Sequence, residues 1–226
     1  MKIGILQTGH AAAEVHKDHG DYDAMFQRLL GGHDLEFVTF DVVDMKFPDS
    51  IHDADGWLIT GSKHGAYDDL PFIPPLEDFI RQIRDAGQPL IGVCFGHQII
   101  AQALGGKVVK YDGGWSVGRT EYDLHGAKMA LNAWHQDQVV EVPPGARVVG
   151  ASDFCATAAL LYGDSIWTIQ PHPEFDSKVI DGLIRYRGKG VVPDAQLQDA
   201  TSHLNDADNS SEIGTFMAEF FKKERA

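Results

Sequence analysis

The distribution of apolar residues changes character about halfway along the chain. In the first half, short apolar runs alternate with segments whose apolar residues recur every three or four positions. The short runs predict buried strands, and the wider spacing predicts helices with one buried face. The predicted strands are 2–7, 35–40, 56–60 and 89–93, and the predicted helices are 21–30, 76–86 and 96–104. Such alternation indicates a parallel sheet covered by helices on both faces.

After residue 106 the apolar runs become shorter and follow one another closely, which is typical of antiparallel strands. The predicted strands there are 107–110, 120–124, 128–131, 138–142, 147–151 and 158–161, followed by a buried strand at 165–170. Helices are expected at 176–187 and 212–223, separated by a polar loop at 190–211 with one short helical piece. The predicted fold class is therefore α/β: a mostly parallel central sheet flanked by helices, with a small antiparallel β extension.

Length and net charge limit the kinds of protein that this chain can be. With 226 residues, 43% of them hydrophobic, the chain can bury a sizeable core. We expect a single domain over 1–226, with a core at 1–186 and a C-terminal helical extension at 187–226. The net charge of −14 argues against a nucleic-acid or anionic-membrane surface. No run approaches the roughly 18 apolar residues of a membrane span, and the N-terminus resembles a first strand more than a signal peptide.

The chain has two cysteines, too few for a disulfide framework, so we expect a cytoplasmic protein with reduced thiols. Cys94 lies in the segment GVCFG, where a predicted strand runs directly into a predicted helix. A nucleophile between two glycines at such a turn stands exposed above the sheet, and the helix N-terminus favours a thiolate. The alternative is a buried structural cysteine, which is the role we expect for Cys155.

A thiolate nucleophile needs a base and a group that orients the base. In the segment QPHPEF, the two prolines favour an extended chain, in which residues two apart point to the same side. His172 and Glu174 therefore share one side, and the carboxylate can orient an imidazole that faces Cys94. Segments 60–65, 92–97 and 170–175 all follow predicted strands, and ligands of open α/β sheets bind beyond those strand ends.

The negative oxygen formed by attack on a carbonyl needs N–H donors that are already in place. The N–H of Phe95, directly after the cysteine, is one candidate. The Gly61-Ser62 pair is the second, because a glycine lets the backbone approach a ligand closely. An ordinary turn explains the Gly61-Ser62 loop equally well when it is considered by itself.

The segments GVCFGHQIIAQALGG and QPHPEF resemble the class I, triad-type glutamine amidotransferase domain, as found at one end of GMP synthetase. The resemblance extends over about residues 1–186. It implies that Cys94 is the nucleophile, His172 the base and Glu174 its partner, with no metal or organic cofactor. It also implies that residues 60–65 form the oxyanion loop. The implied glutamine contacts are Gln98 and the loop with His135, Gln136 and Asp137.

The chain departs from this family pattern at Ser62, Trp134 and Gln136, and no synthetase domain follows within its 226 residues. Free-standing relatives of this kind include γ-glutamyl peptide hydrolases. The expected function is hydrolysis of the γ-amide of glutamine or of a γ-glutamyl compound through a γ-glutamyl thioester. Two alternatives stay open: a glutaminase subunit that supplies ammonia to a separate synthetase, and a binding protein without catalysis. The expected partner is a small-molecule substrate, and a homodimer or a synthetase complex also stays open.

Two further segments border the expected site. His10, His16 and His19 follow the first strand, but their spacing does not suit a metal site, so we expect a solvated loop at 10–23 that contacts substrate. Segment 106–131 is expected to form a flap over the site. The apolar face of the helix at 212–223 is expected to pack on its own domain, with a dimer contact as the alternative.

Overall fold

The computed structural model describes residues 1–225, and its central feature is a nine-stranded sheet with the order β2-β1-β3-β4-β11-β10-β9-β6-β7. The strands are β1 (Lys2–Leu6), β2 (Glu36–Phe40), β3 (Gly56–Ile59), β4 (Leu90–Val93), β5 (Lys107–Lys110), β6 (Ser116–Leu124), β7 (Ala127–His135), β8 (Asp137–Glu141), β9 (Ala146–Ala151), β10 (Ala159–Tyr162) and β11 (Ile166–Ile169). Strands β2, β1, β3, β4 and β11 are parallel neighbours, whereas β10, β9, β6 and β7 continue the sheet in antiparallel pairs. The predicted fold class is confirmed.

Helices cover both faces of the parallel part. They are α1 (Ala13–His19), α2 (Tyr22–Leu29), α3 (Ile73–Asp85), α4 (Phe95–Ala103), α5 (Ser177–Leu183), α6 (Asp194–Ser202) and α7 (Ser210–Lys222). Alternate residues of β3 show the two layers. Trp57 and Ile59 pack with α3 and α4 in one buried cluster, and Leu58 packs with α2 and α7 in the other. This alternation follows from the two-residue period of a strand.

The antiparallel extension differs from the prediction in its pairing. Four of its six predicted strands join the main sheet, but β5 and β8 pair only with each other in a separate two-stranded sheet. The physical reason is burial, because Val108 and Val139 pack into the cluster that α3 and α4 form against the sheet. Strand spacing alone does not specify which strands become neighbours.

Two helical predictions need correction. The expected loop at 10–23 contains helix α1, which a single buried side chain, Val15, anchors in the cluster with Val179 and Ile180 of α5. One apolar residue gives no helical period, so the sequence pattern missed it. The helix expected at 176–187 begins as α5 and then widens into a π-helical turn over Ile184–Gly188.

The C-terminal helix packs on its own chain, as predicted. Ile213, Met217 and Phe221 are buried in the same cluster as Ile3 and Ile5 of β1. The expected loop at 190–211 contains one helix, α6, also as predicted. None of the helices within residues 1–225 has the length and apolar character that crossing a membrane requires.

Candidate active site

The three polar segments singled out in the sequence lie side by side. They follow β3, β4 and β11, which are adjacent parallel strands of the sheet. Their carboxyl ends therefore open at the same edge, where ligands of α/β sheets bind. This arrangement brings Ser62, Cys94 and His172 to the wall of one cavity of about 430 Å³.

Cys94 lies on a strained turn between β4 and α4. Its backbone has φ 53° and ψ −104°, a conformation that few residues with a side chain adopt. A Cβ atom at Gly92 would overlap the carbonyl oxygen of Gly96, and a Cβ atom at Gly96 would overlap that of Ile59. Both flanking glycines are thus required by close backbone contacts, which matches the sharp strand-to-helix turn expected from the sequence. The expected exposure of the thiol is wrong, because Cys94 is buried.

The expected pairing of His172 with Glu174 is present. Their Nδ1 and Oε1 atoms are 2.7 Å apart, and both side chains are buried. The His172 ring stacks on Phe175, with centroids 3.9 Å apart and planes 3° apart. Its main-chain N–H donates to the carbonyl of Asn132 at 2.8 Å. These contacts fix the position of the ring and turn Nε2 to the side away from Glu174.

Cys94 is the partner of His172 on the other side. Burial alone would lower the pKa of His172, but the charges of Glu174 and the Cys94 thiolate, with hydrogen bonds to both, outweigh burial and raise the pKa above its ordinary value. The two side chains meet over Gly61, where a Cβ atom would lie 2.9 Å from Cε1 of His172 and 3.7 Å from Cβ of Cys94. The His172 imidazole thus contacts both the cysteine and a carboxylate, and its raised pKa favours the protonated ring.

Two main-chain donors lie beside this pair. Within residues 1–225, no protein acceptor takes the N–H of Phe95 or that of Ser62. Phe95 is the first residue of α4, where main-chain N–H groups lack intrahelical acceptors. The Ser62 hydroxyl donates to the carbonyl of Thr8 at 2.8 Å and accepts from the N–H of His64 at 3.2 Å. The serine side chain therefore anchors the loop and leaves its own main-chain N–H available.

The residues implied as glutamine contacts also reach the cavity. Gln98, His135, Gln136 and Asp137 all line it, and Gln98 donates to the Asp137 carbonyl at 2.9 Å. Burial lowers the pKa of His135 to about 3, so this imidazole is neutral. Burial raises the pKa of the Asp137 carboxyl, which accepts a hydrogen bond from the Tyr67 hydroxyl at 3.0 Å. This end of the cavity is polar and held by several hydrogen bonds.

The segment after β1 also contributes one histidine. Nδ1 of His10 lies 2.6 Å from Oδ2 of Asp21, and His10 lines the cavity, whereas His16 is exposed on α1. Burial would lower the pKa of His10, but the hydrogen bond and charge of Asp21 raise it above its ordinary value. In the part of the chain that the structure describes, no cluster of three His, Cys, Asp or Glu residues is arranged to hold a metal ion.

Several cavity residues were not identified from the sequence. They are Tyr22, Lys63, Tyr67, Lys110, Trp115, Phe175, Leu183, Arg187 and Val191, together with Trp134, which was noted only as a departure. Tyr22 belonged to the apolar stripe of a predicted helix, and Arg187 was the last residue of another. The predicted flap at 106–131 supplies Lys110 and Trp115 to the cavity wall. Lys63 and Phe175 lie within the segments 60–65 and 170–175 that the sequence marked, but no signal singled out their side chains.

Comparison with known proteins places this arrangement in a family. Residues 27–185 match the family model described as "Glutamine amidotransferase class-I". The chain is 31% identical over 211 residues to gamma-glutamyl peptidase 4 of Arabidopsis thaliana. The aligned region covers 85% of this chain and 84% of the relative. It is 32% identical over 171 residues to one subunit of the glutamine-hydrolyzing GMP synthase of Halobacterium salinarum, covering 70% of this chain and 85% of the relative.

A solved structure supports the fold. The crystal structure of a glutamine amido transferase from Methylobacillus flagellatus superposes with a TM-score of 0.76 at 23% identity, over 98% of this chain and 91% of that one. The family match extends over more than half of the chain and includes β4, the turn at Cys94 and β11. This chain belongs to the class I glutamine amidotransferase family.

Proposed function

We propose that this protein hydrolyses the γ-amide bond of glutamine or of a γ-glutamyl compound, with Cys94 as nucleophile, His172 as general base and acid, and Glu174 as the group that orients His172. One observation carries the proposal. The buried imidazole of His172 lies between Cys94 and a carboxylate 2.7 Å from its other nitrogen. A nucleophile, a base and an orienting group in this order are the parts that covalent amide hydrolysis requires.

The first half of the reaction forms a thioester. The thiolate of Cys94 attacks the γ-carbonyl carbon, and the negative charge that develops on oxygen is stabilised by the N–H groups of Phe95 and Ser62. Protonated His172 gives its proton to the amide nitrogen as the C–N bond breaks. The amine or ammonia leaves, and a γ-glutamyl thioester on Cys94 remains.

The second half uses water. His172, now neutral, takes a proton from a water molecule, and the resulting hydroxide attacks the thioester carbonyl. The C–S bond breaks, glutamate is released, and the Cys94 thiolate and the His172 imidazolium are restored. Glu174 keeps the Nδ1 proton in place throughout, so that Nε2 is the nitrogen that exchanges protons.

The comparisons support two forms of this function. A relative named gamma-glutamyl peptidase matches over 85% of this chain, which favours a free-standing hydrolase. A relative named as one subunit of GMP synthase matches over 70%, which keeps a glutaminase subunit with a synthetase partner as the second candidate. The larger shared length makes the hydrolase our first choice.

Steady-state assays on the purified chain distinguish the two forms. Glutamine and a set of γ-glutamyl amides are incubated with the protein alone, without ATP, and released glutamate is measured. We expect turnover of at least one γ-glutamyl compound, and none with the Cys94→Ala variant. If every compound stays intact until a synthetase is added, the subunit form replaces the hydrolase. Turnover by Cys94→Ala would contradict the mechanism in either form.

A further inference from the structure

The cavity extends beyond the reactive thiol along an aromatic wall. Phe175 stacks on the His172 ring, and Tyr22 lies next to Phe175 with ring centroids 6.1 Å apart. Trp115 and Trp134 form a second aromatic pair on the wall, with centroids 6.5 Å apart. The volume of about 430 Å³ falls in the range of about 300–1,000 Å³ of sites for drug-sized ligands, which are larger than a free amino acid. The site therefore has room for more than a glutamyl group.

The unexpected π-helical turn brings a cation to this wall. Arg187 belongs to the turn Ile184–Gly188 and lines the cavity together with Leu183. Across residues 1–225, no carboxylate forms an ion pair with Arg187. Arg185, two residues earlier, is paired with Asp181 at 2.8 Å on the helix surface. π-Helical turns often occur at functional sites, and here the turn accompanies a cavity arginine that has no ion-pair partner among the described residues.

Arg187, Tyr22 and Cys94 line the same cavity. An anionic group bound by Arg187 would therefore lie in the cavity that contains the reactive thiol.

The other charged groups of the cavity suit the glutamyl part of a substrate. Lys63 and Asp68, from the loop after β3, and Lys110 and Asp137, from β5 and β8, all line the cavity. These cations and carboxylates can match the α-carboxylate and α-ammonium groups of a glutamyl residue. Arg187, which has no ion-pair partner among the described residues, is then available for a second anionic group on the departing amine.

We propose, building on the hydrolase function above, that the leaving group is an amino acid or peptide with a free carboxylate and an aromatic or large apolar side chain. Arg187 binds that carboxylate, since the planar guanidinium fits a carboxylate with two parallel hydrogen bonds. The wall of Trp115 and Trp134 contacts the side chain, because aromatic faces bury apolar groups at little loss of conformational freedom. The substrate class is thus γ-glutamyl peptides with an apolar second residue.

The test compares four compounds: γ-glutamylphenylalanine, its C-terminal amide, γ-glutamylglycine and glutamine. For the native protein we expect the highest kcat/KM with γ-glutamylphenylalanine. Amidation of its carboxylate should lower kcat/KM about tenfold to a hundredfold, the range for a hydrogen bond to a charged group. Arg187→Gln should remove this difference, chiefly by raising KM. Trp115→Ala should reduce the preference for phenylalanine over glycine.

Arg185→Gln is the matched control, because it removes an arginine of the same turn that is paired outside the cavity, and it should behave as the native protein does. Native protein that hydrolyses these compounds without regard to the carboxylate, or an Arg187→Gln variant that keeps the preference, would overturn the leaving-group proposal and leave the hydrolase function intact. Folded native protein that cleaves none of the four, with no Cys94 acylation by any of them, would overturn both proposals.

Discussion

The two cysteines are both buried, yet they differ in backbone conformation and in charged neighbours. Cys94 is 6% exposed and Cys155 is 1% exposed, and both pack in the same hydrophobic cluster. Cys94 lies on a strained turn at the start of α4 and faces His172. Cys155 lies in a loop after β9, where its main-chain N–H donates to the Ser152 hydroxyl at 3.0 Å.

We expect charged neighbours, and not burial, to set the difference in reactivity between the two thiols. Burial raises the pKa of the Cys155 thiol to about 11, and hydrogen bonds from Thr157 offset this only in part. Among the described residues, no cation is one of the groups that act on Cys155. Cys94, in contrast, faces the His172 imidazole, whose pKa is raised, and lies directly before the first residue of α4. The contrast supports the proposed catalytic role of Cys94 and the expected packing role of Cys155.

The strongest test of this contrast removes each thiol in turn by substitution with alanine. Cys94→Ala should lower kcat by a factor of about 10⁴ or more, since loss of the nucleophile disables the whole catalytic set. Cys155→Ala should keep kcat and lose only a modest part of the free energy of unfolding. Glutamate release and urea denaturation measure the two quantities. Equal loss of activity in both variants would remove the distinction.

The partner of His172 gives the next largest effect. Glu174→Gln keeps the shape of the side chain but loses the charge that orients and stabilises the imidazolium, so kcat should fall about 10³-fold or more. Asp176→Asn is the control, because Asp176 caps α5 through the N–H groups of Lys178 and Val179, and asparagine caps equally well. A Glu174→Gln enzyme as active as this control would contradict the role of Glu174.

Alkylation compares the two thiols in one sample. Because the pKa of His172 is raised, the imidazolium should persist beside Cys94 through neutral pH, and iodoacetamide should label Cys94 readily at about pH 7. Cys155, with a pKa of about 11, should react about a hundredfold more slowly and only gain speed as the pH rises toward that value. Peptide mass spectrometry of folded protein measures both rates. Comparable labelling at pH 7 would refute the contrast.

The smallest effect is expected from a substitution at Gly61, next to the His172 ring. Gly61→Ala would place a methyl group 2.9 Å from Cε1 of His172, closer than an ordinary contact, so the ring must shift by some tenths of an ångström. We expect kcat to fall about tenfold, because small misplacements of catalytic groups are costly. The thermal unfolding midpoint serves as the check that the fold persists. Unchanged kcat in a folded variant would show that the ring position tolerates this contact.

The sequence predicted the fold where the signal was local and periodic. Residues close together in the chain determine three features: the alternating strands and helices of the first half, the turn at Cys94 and the extended segment around His172. The separate pairing of β5 with β8 and the anchoring of α1 by Val15 depend on tertiary contacts, which no local pattern encodes.

The residues of the candidate site likewise fall into those that the sequence could identify and those that it could not. Cys94, His172 and Glu174 were identifiable because nucleophilic chemistry needs those residue types at strand ends, although their catalytic roles stay predictions. Tyr22 and Arg187 were not identifiable, because one resembled a core aromatic residue and the other a solvated helix end. Only the fold of α2 and the π-helical turn brings them to the cavity.

The most direct test of the central claim is to trap the acylated enzyme. The native protein is mixed with γ-glutamylphenylalanine or glutamine, quenched in acid within the first turnovers, digested and analysed by mass spectrometry. We predict one glutamyl group on the peptide that contains Cys94, sensitive to hydroxylamine as a thioester is, and none on the peptide that contains Cys155. Active enzyme that carries the glutamyl group on another residue, or that turns over after Cys94→Ala, would contradict the account.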